Sequence, residues 1–345
     1  MRILLTGGGG FIGSHLAELL MARGDEVVVI DRDPAHPVAG ARLLRADLNT
    51  PGAAAAAVEG VDAVCHLAAR VGLGLDFGDA PAYTTDNDLA TAALLAALAA
   101  SGFTGRLVLS SSMVVYGEGS YRCTEHGTVR PGPRSVAQME AGQFEPPCPR
   151  CERALQWATV DETAPLDPRS VYAATKVSQE HLASAWARET GASVVALRYH
   201  NVYGRRLPLG TPYAGVAALF RDRLRSGRAP LVFEDGGQMR DFVHVSDVAA
   251  ANAASLDYAM SRSGYEAFNV ASGTPVSILD VAGALCQAFG SAASPAQVTG
   301  RFRAGDVRHV VASPARAARR LGFQARVALA DGMADLAGEP LPSAG

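Results

Sequence analysis

The stretch Arg2-Ile-Leu-Leu-Thr6-Gly7-Gly-Gly-Gly10-Phe-Ile-Gly13 decides how this chain folds. Its first five residues form an apolar run of strand length, and four glycines end it at once. From Ser14 to Arg23 the apolar residues recur with helical spacing. Strand, glycine turn and helix, in that order, bring a backbone against a pyrophosphate. Glycine is needed where a Cβ would collide, and the helix that follows offers unpaired N–H groups and the positive end of its dipole. Gly7, Gly10, Phe11, Ile12 and Gly13 are therefore read as the residues around a dinucleotide's phosphates.

A second apolar run, Glu26-Val-Val-Val-Ile30, ends at Asp31, two dozen residues after Gly7. A carboxylate there accepts both ribose hydroxyls of an adenosine and repels a 2′-phosphate, which selects NAD over NADP. The neighbouring Arg32 pulls the other way. Further buried strands are read at 61–69 and at Arg106-Leu-Val-Leu-Ser110, with an apolar helix around Asp88 to Ala100 between them. This alternation implies an α/β protein with a doubly wound parallel sheet (a Rossmann fold) covered on both faces. Ligands then sit beyond the carboxyl ends of the strands, where Ser110-Ser-Ser112 falls.

The bulk properties narrow the setting. A chain of 345 residues has room for a full core and two lobes. A net charge of −3 gives no reason to expect a nucleic-acid or anionic-membrane partner. The N-terminal apolar run is too short for a signal peptide, and Leu89 to Ala100 is too short to span a membrane. Five cysteines, an odd number, point to a reducing cytoplasm rather than a disulfide scaffold.

Lys176 is the only lysine; the other basic residues are all arginines. It closes the segment Tyr172-Ala-Ala-Thr-Lys176, one helical turn after a tyrosine on the same face. A lysine offers a compact ammonium where arginine offers only a wide, permanently charged fork. An ammonium held beside a phenol favours the phenolate and makes it a general base near neutral pH.

With Gly7-x-x-Gly10-x-x-Gly13, Asp31, Ser112 and Tyr172-x-x-x-Lys176 in this order, the chain resembles the extended short-chain dehydrogenase/reductases. More narrowly it is similar to the NAD-dependent nucleotide-sugar epimerase/dehydratase family. Further matching segments are Asp47-Leu48, Leu67-Ala-Ala69, Asn87, Ser112-Met-Val-Val-Tyr-Gly117, Arg198-Tyr-His-Asn201-Val-Tyr-Gly204, Arg240 to Asp247 and Arg303-Ala-Gly-Asp306. The resemblance implies that Tyr172 removes a proton from a sugar hydroxyl while hydride leaves the same carbon for nicotinamide. Lys176 would hold the nicotinamide ribose and keep Tyr172 acidic, and Ser112 would hydrogen-bond the reacting oxygen. Asp47, Leu48, Leu67, Ala68 and Ala69 would line the cofactor. Asn201, Arg240 and Arg303 would hold the nucleotide diphosphate, since two permanent cations suit a doubly charged group, and Val216 would join them among the substrate-binding residues. Asn87 would order the end of the sheet.

Two departures bear on the reaction. Sugar-nucleotide dehydratases and decarboxylases similar to this family carry acidic residues directly after the serine. Here Met113 and Val114 stand there, and neither can give or take a proton. That leaves a 4-epimerase, with a net ketoreductase and a non-catalytic dinucleotide-binding member as the competing readings. The run from Ser112 to Arg240 is most similar to bacterial dTDP-L-rhamnose 4-epimerases.

Ser112 and Tyr172 lie sixty residues apart, about twenty more than the family usually needs. The insert that carries the excess, 119–158, holds Cys123-Thr-Glu-His126 and Cys148-Pro-Arg-Cys151. A Cys-x₂-His pair and a Cys-x₂-Cys pair supply four ligands for a closed, structural tetrahedral zinc, in a stretch with little apolar content of its own. A redox Cys-x-x-Cys is the alternative. The expected organisation is an NAD-binding domain over 1–206, interrupted by the insert and joined again by 236–272. A smaller nucleotide-sugar lobe takes 207–235 and 273–338. Helices at 87–100 and 171–188, apolar on more than one face, are expected to pair two subunits into a homodimer.

Overall fold

Runs of aliphatic residues without an interposed polar one can be strands only where both faces are covered. The computed structural model, which describes residues 1–72, 74, 76–208, 215–260, 264–290 and 293–339, covers them so. The first half of the chain supplies β1 (Arg2–Thr6), α1 (Phe11–Ala22), β2 (Glu26–Asp31), β3 (Arg42–Arg45), α2 (Ala53–Ala57) and β4 (Ala63–His66). Next come α3 (Ala80–Tyr83), a π-helical turn at Thr84–Leu89, α4 (Ala90–Ala100) and β5 (Arg106–Ser112). The insert forms β6 (Ser120–Cys123), β7 (Gly127–Val129), α5 (Val136–Glu140) and β8 (Gln156–Ala158). Then follow α6 (Val171–Thr190), β9 (Ser193–Tyr199), β10 (Asn201–Tyr203), α7 (Val216–Arg225) and β11 (Leu231–Val232). The remainder is β12 (Met239–His244), α8 (Val245–Asp257), β13 (Gly264–Val270), β14 (Pro275–Ser277), α9 (Ile278–Phe289), β15 (Gln297–Val298), α10 (Ala315–Leu321) and α11 (Leu329–Ala337).

Seven strands make one sheet in the order β13-β9-β5-β4-β1-β2-β3, every pair parallel. One face is sealed by α1 and α8 through a core that includes Ile3, Leu16, Leu20 and Val248. The other is sealed by α2, α4 and α6 through Leu4, Leu94, Leu107 and Trp186. A third core joins α7, α9 and α11 around Phe220, Val232 and Leu285. The helix after Tyr83 begins earlier than its apolar pattern suggested. The side chain of Asn87 turns back onto the Arg70 backbone, accepting from its N–H at 2.7 Å and donating to its carbonyl at 3.1 Å. The short edge strand β3 carries charge at both ends and gave no sequence signal.

A polar knot fastens α6 to the sheet. Glu180, nearly fully buried, accepts from Arg198 Nε and Nη2 at 3.0 and 2.8 Å, from Ser111 Oγ at 2.5 Å and from Tyr265 Oη at 2.6 Å. Burial alone would protonate this carboxyl, but Arg198, Ser111 and Tyr265 outweigh it and hold it below its ordinary range. Glu180→Leu would strand Arg198 without a counter-charge, and breaking a buried pair costs about 3–5 kcal/mol. Urea denaturation should show a loss of that size; a loss under about 1 kcal/mol would mean the knot is dispensable.

Candidate active site

The glycine turn follows β1 directly. Gly7 has φ +67°, and a Cβ on it would stand 2.8 Å from the Ala68 backbone, because β4 ends alongside. Leu67 N donates to the Thr6 carbonyl at 3.1 Å, and Ala68 N to Thr6 Oγ1 at 3.1 Å. A Cβ at Gly13 would lie 2.3 Å from the Gly7 carbonyl, so the helix can pack on the turn only with glycine there. A Cβ at Gly10 would meet only the Gly7 carbonyl, at 3.3 Å, and otherwise fill the space above the turn. No side chain caps α1 and no acid occupies its first turn. Its free N–H groups and dipole thus face a cradle shaped for a pyrophosphate. Phe11 and Ile12 reach this cradle by backbone alone: their side chains pack on two different cores.

At the end of β2, Asp31 accepts from Gly9 N and Asp33 N, both at 3.0 Å, which aims its carboxylate beside the glycine turn. Arg32 is engaged by two other carboxylates. It donates to Asp86 at 2.8 and 2.9 Å and to Asp47 at 3.1 Å, and Arg70 also donates to Asp86 at 2.8 Å. The hydrogen bonds that Arg32 donates, to Asp86 first, outweigh burial and raise its pKa above the ordinary value. Asp47 is thereby engaged with Arg32. Leu48 buries its side chain in the core with Val28 and Ala54, leaving only its backbone for a cofactor. Asp86 carried no sequence signal, since its role depends on a partner 54 residues away.

Ser112 ends β5, and its Oγ accepts from Val114 N at 3.4 Å. Tyr172 lies in the first turn of α6, which Ser170 caps by accepting from Ala173 N at 3.1 Å. One turn on, Lys176 Nζ donates to the Ser110 carbonyl at 2.8 Å and stands 6.0 Å from the centre of the Tyr172 ring. Helix and strand end thus bring all three residues together. Burial pushes Lys176 down to about 8, against Glu180 and Asp88. Burial pushes Tyr172 up to about 12, opposed by its hydrogen bond with Ser112 and aided by Tyr83. The acidifying effect expected of Lys176 on Tyr172 does not emerge in the ligand-free protein, where loss of solvation dominates. Met113 and Val114 open the turn after Ser112 with apolar side chains.

The other assigned residues lie on β10, β12, α7 and the segment before Asp306. Asn201 opens β10, and its buried Oδ1 has no hydrogen-bond partner among the described residues. Arg240, on the adjacent β12, donates to the carbonyls of Met239, Arg308 and Val307 at 2.9, 2.7 and 2.8 Å. Among the described residues no carboxylate lies within ion-pair distance of it, which leaves donors for an anion. Arg303 is exposed, 5.5 Å over the Phe233 ring. Val216 opens α7, directly after Gly215, its N-cap. His200 went unassigned from sequence; it is buried and kept neutral, pushed down to about 3 by burial and then by Arg240.

The insert brings its four ligands to one point. The ligand atoms of Cys123, His126, Cys148 and Cys151 all lie within 4.8 Å of one another. Cys123 Sγ is 3.6 Å from Cys151 Sγ, and His126 Nδ1 is 3.5 and 3.6 Å from the Cys123 and Cys148 sulfurs. A tetrahedral zinc with bonds near 2.3 Å to sulfur and 2.0 Å to nitrogen sets edges of about 3.8 Å and about 3.5 Å. The donor set and its spacing fit that ion.

A dinucleotide cradle, an acidic ribose position and a Ser-Tyr-Lys set at the sheet's carboxyl end define a short-chain dehydrogenase/reductase type of site. Residues 3–136 and 152–271 match the NAD dependent epimerase/dehydratase family, and the chain belongs to it. It is 36% identical to a dTDP-L-rhamnose 4-epimerase of Burkholderia thailandensis, covering 97% of this chain and 93% of that one. Among solved structures it resembles MoeE5 in complex with UDP-glucuronic acid and NAD (TM-score 0.77, 31% identical, 98% of both chains). It also resembles a Thermus thermophilus UDP-glucose 4-epimerase in complex with NAD (TM-score 0.78, 29% identical, 98% of both chains). The family match breaks at 137–151, inside the insert.

A single lysine can be titrated without ambiguity. In the NAD-free protein, selectively ¹³C-labelled Lys176 should give one signal titrating near 8, well below its ordinary 10.5. Between those values the unfolded chain binds the extra proton, so this residue makes stability rise with pH across that window. A midpoint above 10 would contradict the burial that positions it.

Proposed function

We propose that this protein is an NAD-dependent nucleotide-sugar 4-epimerase acting on a dTDP- or UDP-hexose, with dTDP-L-rhamnose the first candidate. The observation that carries the reading is Ser112, Tyr172 and Lys176 converging beside Met113 and Val114. That site can move a proton and a hydride but has no acid–base pair there to expel water or carbon dioxide. The names of the similar proteins support the same reading. The commitment of Arg32 to Asp47 and Asp86 leaves Asp31 to the adenosine ribose, which favours NAD over NADP and disfavours the reductase alternative.

In this reading Gly7, Gly10 and Gly13 admit the pyrophosphate, and Lys176 holds the nicotinamide ribose. Bound NAD supplies the hydride acceptor and a pyridinium charge. That charge would favour the phenolate that the free protein disfavours. Tyr172 would take the proton of the C4 hydroxyl while Ser112 holds its oxygen, and would give it back to the same oxygen when the keto sugar is reduced from the opposite face. Asn201 offers its orphaned carbonyl to substrate, and Arg240 and Arg303 grip the diphosphate. We assign 1–206 and 236–272 to the dinucleotide domain, and 207–235 and 273–338 to the sugar-nucleotide lobe. A homodimer is proposed through α4 and α6, where Leu89 is 54% exposed and Ala174, Val177, His181 and Leu182 line an open groove. The enzyme is placed in the reducing cytoplasm, where the insert's thiols stay available to zinc.

Tyr172→Phe should lower turnover at least about a hundredfold while NAD stays bound; full turnover with the true substrate would remove Tyr172 from the mechanism. Epimerisation should need no added reductant. Stoichiometric NADPH consumption would instead favour the reductase, and loss of water would refute the reading of Met113 and Val114.

The insert is proposed as a structural zinc site. Metal analysis should find about one zinc per chain, lost in Cys148→Ser, with 119–158 then opened to proteolysis and NAD binding retained. A metal-free wild-type protein with an intact insert would overturn it.

A further inference from the structure

The insert does more than close on itself. Two of its side chains leave it and enter the opposite lobe. Arg134, buried, donates through Nη1 and Nη2 to Glu234 at 2.9 and 2.8 Å, and through Nη2 to the Asp306 carbonyl at 2.8 Å. Glu145 accepts from Arg308 Nε and Nη2 at 2.9 and 2.6 Å, and its second oxygen lies 2.8 Å from His309 Nε2. Arg308, 1% exposed, also donates to Glu234 and Asp235 at 2.8 and 2.9 Å. The result is a lattice, buried at Arg134, Arg308 and Glu234 but reaching solvent at Glu145 and Asp235, in which two guanidiniums alternate with three carboxylates. Its insert half begins eight residues after His126 and ends three before Cys148.

Both arginines assigned to the diphosphate hang from this lattice. The carbonyls of Val307 and Arg308 accept two of the three hydrogen bonds that orient Arg240, and Val310 N donates to the Met239 carbonyl at 3.2 Å. The loop that presents Arg303 is fixed at its far end, since Asp306 N donates to the Arg303 carbonyl and the Asp306 carbonyl accepts from Arg134. The same segment is sewn to the base of the insert. Gly119 N donates to the His309 carbonyl at 3.0 Å, and a Cβ on Gly119 would come within 2.6 Å of that oxygen. Tyr121 Oη donates to Glu118 at 2.7 Å and accepts from His309 N at 3.0 Å.

We propose that Glu145 and Arg134 are positioning residues for the nucleotide diphosphate: the metal-held insert clamps 306–310, and 306–310 holds Arg240 and Arg303. This rests on the diphosphate roles of those two arginines proposed above. Neither positioning residue touches substrate. Their removal lets the Arg240 guanidinium wander from a site that must be preorganised, because a flexible cation loses entropy again on each binding event. The insert is thereby a specificity and affinity element of the sugar-nucleotide lobe, joined to it by charge. Metal binding and diphosphate binding are coupled, and each strengthens the other.

The test uses the full-length protein and Glu145→Ala, Glu145→Asp and Arg134→Met. Calorimetry with dTDP and with UDP as probes should show affinity falling on the order of tenfold for Glu145→Ala and Arg134→Met, and recovering in part in Glu145→Asp. With a nucleotide-sugar substrate the loss should appear in KM, with kcat within about twofold, since diphosphate binding is shared by ground and transition states. Retained NAD should not change. A kcat loss with unaltered affinity would overturn the proposal, as would full affinity in both variants. Hydrogen exchange gives a readout that needs no substrate: amides of 239–241 and 306–310 should exchange faster in Glu145→Ala and, in a zinc-loaded protein, after chelation. Unchanged exchange there would overturn the clamp itself. Failure of the wild type to bind either nucleotide, with exchange responding as expected, would instead sink the diphosphate assignment.

Discussion

One buried carboxylate sets the geometry on which the chemistry depends. Glu180 lies a turn beyond Lys176 on α6 and is held at once by β5, β9 and β13 through Ser111, Arg198 and Tyr265. With the helix fastened there, Lys176 reaches the Ser110 carbonyl and Tyr172 comes beside Ser112. A catalytic hydroxyl misplaced by about 1 Å can cost on the order of a hundredfold in rate, so a fully satisfied ionic knot at this point has a functional reason beyond stability.

The same logic explains the resting state of the site. Burial pushes Tyr172 up and Lys176 down, so each is nearer its neutral form than in water. In the proposed reading, a tyrosine of this kind would serve as a base only with the positive charge that bound NAD would bring.

Elsewhere the protein uses charge where apolar surface is scarce. The insert has a small core of Tyr121, Val129, Leu155 and the cysteines, too little to order some forty residues. Four side chains spaced to ligate a metal at one end, and the Arg134–Glu234 and Glu145–Arg308 pairs at the other, supply contacts that the small core does not. Buried ion pairs are costly to desolvate, yet their directional demands specify one docking geometry.

Much of this was legible in the chain. The glycine turn, Asp31, the alternation of apolar runs and helical segments, and the Tyr172–Lys176 spacing are local patterns, and local patterns carry the strand–turn–helix order and the dinucleotide cradle. The Cys-x₂-His and Cys-x₂-Cys pairs were legible for the same reason, though only the fold of β6 to β8 brings the two halves within metal-ligand distance. What the tertiary structure alone decided is where distant charges meet. Asp86 claims Arg32 across 54 residues, Glu145 claims Arg308 across 163, and burial reverses the expected shift of Tyr172. Ion pairs and desolvation depend on distances and on solvent exclusion, and neither is written in any short window of sequence.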